Sequence, residues 1–115
     1  MNIILKNVYS DLLELSNIAL QKKLWLNQNN DTGLLSSYSE LMCRLFDEND
    51  IESIIDNPEL NKSLPSKAVL ELNLLRNLLN EYSEKNNDEE IINDIKWREI
   101  VLQGKNVIKE WGIPK

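Results

Sequence analysis

Six carboxylates crowd into residues 47–59, at Asp47, Glu48, Asp50, Glu52, Asp56 and Glu59, with no lysine or arginine among them. Grouped side-chain oxygens are the hard donors that calcium prefers, so their spacing can be tested against a helix–loop–helix calcium loop. With Glu48 in the first position, Asp50, Glu52, Asp56 and Glu59 fall at the third, fifth, ninth and twelfth. The register fails at the sixth, where Ser53 replaces the glycine that permits the sharp turn. Glu48 is longer than the usual first ligand, and Pro58 stiffens the approach of Glu59. No metal is assigned. Carboxylate pairs also perform acid–base chemistry in glycosidases, but only across a cleft equipped with positioning groups, which a small helical bundle seldom forms.

Other catalytic equipment is missing as well. Histidine is absent, which removes the commonest general base and metal ligand. Cys43 lies between Met42 and Arg44 in a helical pattern and is expected in the core or at its boundary, where burial makes a thiol inert. Three scattered glycines cannot build a phosphate-cradling loop. Trp25, Trp97 and Trp111 are read as packing residues, because two of them lie on a helical apolar stripe. The expectation is a protein without enzymatic activity or cofactor.

The chain carries 19 acidic and 13 basic residues, a net charge of −6. Outside residues 47–59 the remaining thirteen acids are matched by thirteen bases, so the whole excess lies in that one segment. Such a balance argues against a nucleic acid or an anionic membrane as partner, since both demand a basic face. A basic protein suits it. One cysteine rules out an internal disulfide, no secretory signal pattern opens the chain, and no apolar run reaches membrane-spanning length. The expected location is the cytoplasm.

At 115 residues, with 42% apolar and 28% charged content, the chain is expected to fold as one domain, 1–115, around one core. Its periodicity is helical throughout, with no hairpin turn and no sustained alternation. A first helix over 5–16 places Leu5, Val8, Tyr9, Leu12 and Leu15 on one face. Ser16 and Asn17 interrupt it, and a second helix follows over 18–26. After a polar loop at 27–33, the stripe Leu34, Tyr38, Leu41, Leu45 predicts a third helix over 34–46. Pro65 and Ser66 open a central helix over 67–84, with Ser66 as its cap. Its apolar arc of Ala68, Leu72, Leu75, Leu79 and Tyr82, widened by Leu70, Leu74 and Leu78, predicts neighbours on two sides. Around a charged turn at 84–90, a second acidic cluster of Glu81, Glu84, Asp88, Glu89, Glu90 and Asp94 would enlarge an anionic surface if it lay near the first. Asp94 caps a final helix ended by Gly112 and Pro114, with Trp97, Ile100, Val101, Gly104, Val107, Ile108 and Trp111 along one side. The fold class is all-α, a bundle of five or six helices.

Four stretches in this order, LSNIALQKKLW (15–25), ELMCRLFDEND (40–50), DNPE (56–59) and IKWREIVLQGKNVI (95–108), resemble a group of small helical bacterial proteins. The Gln21 to Trp25 spacing, Leu45-Phe46-Asp47 and Trp97 carry the resemblance. The chain departs from the pattern with Glu48 in place of a second aspartate, and with Ile100 third after Trp97 and Val101 one place later. Proteins of this general kind resemble immunity proteins of bacterial toxin systems, including contact-dependent growth inhibition. The resemblance implies binding to a cognate toxin domain, often a basic RNase, and occlusion of its active site. It assigns no contact residue. The charge argument supplies the candidate contact surface: Asp47, Glu48, Asp50, Glu52, Asp56 and Glu59. The alternative is a helical interaction or scaffold protein that self-associates as a dimer through an exposed apolar stripe.

Overall fold

The longest helix of the computed structural model, which describes residues 3–112, spans Ile95–Trp111 and shows why the C-terminal third folds as it does. Asp94 accepts a hydrogen bond from the Lys96 backbone N–H, satisfying one of the donors orphaned at the helix start. Gly112 closes the other end in the left-handed region at φ 70°, a conformation that glycine adopts without steric penalty. Pro114 lies outside the described residues.

In chain order the α-helices are α1 (Ile3–Leu15), α2 (Ile18–Leu26), α3 (Tyr38–Met42), α4 (Ile51–Asp56), α5 (Pro58–Asn61), α6 (Ser66–Glu81), α7 (Asp88–Ile92) and α8 (Ile95–Trp111). A π-helical turn, Cys43–Glu48, continues α3. The architecture is all-α, without a strand among the described residues. Helices α6 and α8 run antiparallel as the main packing pair. Lys67 near the start of α6 pairs with Glu110 near the end of α8, Gln103 donates to the Glu71 backbone oxygen, and the Tyr82 hydroxyl donates to Asp94 at the far end. Helix α1 lies across α8, contributing Leu5, Val8, Leu12 and Leu15 to one continuous core that also holds Trp97, Val107 and Trp111. The rings of Trp25, Tyr38, Tyr82 and Trp97 pack edge-on or tilted, with centroids 5.5 to 6.5 Å apart, and join α2, α3 and α8.

Four local expectations are revised. The third helix starts at Tyr38, not residue 34. The Ser36 N–H bonds the Leu24 carbonyl and the Asn30 side chain holds the Leu34 carbonyl, so this backbone is committed before a helix can claim it. Ser37 then caps α3, while Leu34 and Leu35 stay exposed. Ser66 is the first helical residue of α6, and Pro65 occupies the cap position. The wide apolar arc of α6 has its two neighbours, α8 and α4, but is not covered to its edge: Ala68, Leu72, Leu75 and Leu79 are buried, whereas Leu70 and Leu74 remain 64% and 52% exposed. The turn at 84–90 contains the start of α7, a single turn capped by Asn87 that buries Ile91 and Ile92.

Gly104 marks a close crossing of α8 with the end of α1. A Cβ there would sit 2.6 Å from Cδ2 of the buried Leu15 and 3.3 Å from Cβ of Ser16. Replacing it with alanine gains up to about 1 kcal/mol of helix propensity, while overpacking costs about 1–3 kcal/mol. Urea denaturation should therefore find Gly104→Ala destabilised and Gly104→Val more so, with Asn106→Ala near wild type.

Candidate interaction surface

The acidic segment is built rather than loose. Asp50 stands in the left-handed region at φ 47°, and its carboxylate accepts from the Ser53 backbone N–H and, at 2.6 Å, from the Ser53 hydroxyl, capping α4. The next turn sends Ile51, Ile54 and Ile55 into the core. Asn57 caps α5 behind Pro58, and the Asn61 side chain reaches back to donate to the carbonyls of Ile54 and Ile55. Two short helices therefore fill what a calcium loop would need as open turn. Among the described residues no three His, Cys, Asp or Glu side chains converge to hold a metal.

All six candidate carboxylates are exposed, but they divide by surroundings. Asp56 takes two 2.9 Å hydrogen bonds from Arg76 of α6, and Glu59 pairs with Lys62. Among the described residues no lysine or arginine pairs with Asp47, Glu48, Asp50 or Glu52. Asp47 lines a shallow hollow with Tyr38, Met42, Phe46 and Glu84. The second acidic segment thus meets the first at Glu84. Glu48 opens on the other side, into a hollow shared with Asn7, Ser10 and Asp11.

Cys43 lies by Asp47 and is exposed, not in the core or at its boundary as expected. With Tyr38 and Leu41 turned inward, two residues beyond Leu41 is the outer side of a helix. Partial desolvation, then the carboxylates of Asp47, Glu48 and Glu40, push its thiol up from the ordinary value.

Beneath the segment lies a polar network tying it to α1. Glu14, nearly buried, accepts from Arg44 Nη2 at 2.7 Å, Trp25 Nε1 at 2.8 Å and Ser36 Oγ at 2.8 Å. Asp11 accepts from Arg44 Nε at 2.9 Å and Asn49 Nδ2 at 3.0 Å. Gln21, fully buried, donates to the carbonyls of Glu14 and Leu15 and accepts from Trp97 Nε1 at 2.9 Å. Arg44 and Asn49 bracket the π-helical turn, closed by an Asn49 N–H to Arg44 carbonyl bond of 2.9 Å, and so hold Asp47 and Glu48 in place. Burial pushes the Asp11 carboxyl above the usual range against the pull of Arg44 and Asn49. The sequence held a signal for this network: Asp11 and Glu14 sit three residues apart on one side of α1, and Arg44 is the cation that immediately precedes the acidic run.

No protein-family model, curated protein or solved structure matches the chain. Among the described residues no helix is long and apolar enough to cross a membrane.

Two measurements test this geometry. Iodoacetamide should alkylate Cys43 at neutral pH more slowly than a free cysteine, and Asp47→Asn or added salt should speed the reaction severalfold. Arg44→Met should destabilise by about 2–3 kcal/mol, less than the roughly 3–5 kcal/mol of a fully buried broken pair, because its side chain is 30% exposed. Asp11→Asn should cost less. A carboxyl whose pKa is raised by folding contributes its stability below 3.8 and loses it as pH rises through the folded value, so the wild-type advantage over Asp11→Asn should narrow between acid and neutral pH.

Proposed function

We propose that this chain is a cytoplasmic immunity protein that binds a cognate, basic toxin domain and masks its active site. One observation carries the reading most: Asp47, Glu48, Asp50 and Glu52 stand exposed and without cationic partners among the described residues, on a segment anchored to the helical frame. A nuclease presents cations to phosphates, so a rigid anionic surface fits over the same groups, and complementary charge speeds encounter and selects partners. The mechanism is occupancy, with no catalytic group, no cofactor and no direct contact with nucleic acid or membrane. Asp56 and Glu59 contribute less, since Arg76 and Lys62 already screen them.

A second reading, a self-associating helical scaffold, is favoured by the exposed Leu70 and Leu74 flank of α6. Multi-angle light scattering of the purified chain, alone and with any toxin domain that a neighbouring gene encodes, separates the two. The immunity reading expects a monomer that forms a one-to-one complex. Glu48→Lys with Glu52→Lys, which spares the Asp50 cap, should then slow association about tenfold at low salt and flatten its salt dependence. A dimer that ignores the toxin domain, or association unchanged by the charge reversal, overturns it.

A further inference from the structure

Along α1 two hollows share Asn49, one against the π-helical turn and one against α4 and α5, and together they make a crevice whose two halves differ in chemistry. The first half is polar, with Glu48 on its wall and Asn49 at its end. Asn49 also lines the second half, which is apolar: Leu5 and Ile54, 1% and 2% exposed, lie at its floor, and Ile4 and Leu60, 47% and 40% exposed, stand beside them. Asp50 and Ser53 complete the rim. The apolar half measures about 150 Å³, and apolar cavities of about that size accept a benzene-sized group. No lysine lines either half, and the single arginine, Arg44, is already paired with Asp11 and Glu14.

We propose that this crevice is the partner's anchor point: the apolar half takes one leucine- or phenylalanine-sized side chain from a cationic segment, whose lysines or arginines reach Glu48 and Asp50. The inference rests on the anionic-surface reading and adds to it a specific seat. Charge complementarity selects the occupant. A second copy of this chain docked face to face would bring its own Glu48 and Asp50 against the same carboxylates. The hollow beside Asp47 also sets Met42 and Phe46 against two carboxylates, Asp47 and Glu84, but it is a shallow, open dish, and two further hollows lack the combination. The one between α1, α2 and α8, lined by Leu13, Ile18 and Ile108, carries Lys105 and no carboxylate. The one by Tyr82 mixes Lys85 and Lys96 with Glu81 and Glu99. Binding energy at interfaces concentrates where an apolar anchor fills a desolvated pocket inside a polar rim, which is the arrangement here.

The test uses the full chain, isotopically labelled, and three capped helical peptides as probes: one of leucine, lysine and alanine, one with glutamine replacing leucine, and one with glutamate replacing lysine. The leucine–lysine peptide should shift the amide signals of Asn49, Ser53 and Leu60 in wild type. It should bind at least tenfold more tightly than the glutamine peptide, and the glutamate peptide should not bind. Leu60→Gln and Ile4→Gln, each checked for unchanged urea unfolding, should weaken the leucine–lysine peptide about tenfold. Equal binding of the leucine and glutamine peptides overturns the anchor and leaves the anionic surface standing. Binding of the glutamate peptide as tight as that of the lysine peptide removes the charge reading as well. Shifts confined to Phe46 and Met42, or to Leu13 and Ile108, or no binding at all, overturn the anchor.

Discussion

One buried carboxylate organises the N-terminal half. Glu14 draws donors from three segments at once: Trp25 on α2, Ser36 in the extended stretch, and Arg44 on the π-helical turn. A charge taken out of water is tolerated only when its oxygens are satisfied, so these three partners are obligatory rather than decorative. They dictate the path of the chain. The stretch before α3 must run close enough for Ser36 to donate, and α3 must finish with Arg44 facing inward. Gln21 extends the constraint to α8 through Trp97, so the same group of side chains couples both ends of the sequence.

The helices that can be read from residue order are those ended by side chains acting locally. Asn17, Asp94 and Gly112 each cap within a few residues of themselves, and α2 and α8 lie where those signals place them. Where the boundary depends on a partner far along the chain, periodicity misleads. Leu34 and Leu35 continue a convincing helical stripe, yet Ser36 answers to Leu24 and Glu14. The π-helical turn is equally illegible, because it exists only once Arg44 and Asn49 both meet Asp11.

The acidic surface was half legible for a related reason. Counting charges locates the excess but says nothing about compensation across the fold. Arg76, twenty residues beyond Asp56, and Lys62, three beyond Glu59, quiet one end of the run. Glu84 meanwhile joins the other end from the connection between α6 and α7. The crevice was invisible from sequence, since nothing in residue order marks Ile4 and Leu60 as neighbours until α1 and α5 are brought together.

The double tether of the π-helical turn has one more consequence. Arg44 and Asn49 clamp the backbone on either side of Asp47 and Glu48, and Asp50 is locked by its own cap. A surface already frozen in shape surrenders little entropy when something docks on it, which favours tight and rapid capture. The same stiffness denies it the freedom to follow a binder whose cations have shifted. Any drift in such a binder must be answered by substitution on this chain, since the backbone cannot bend to meet it.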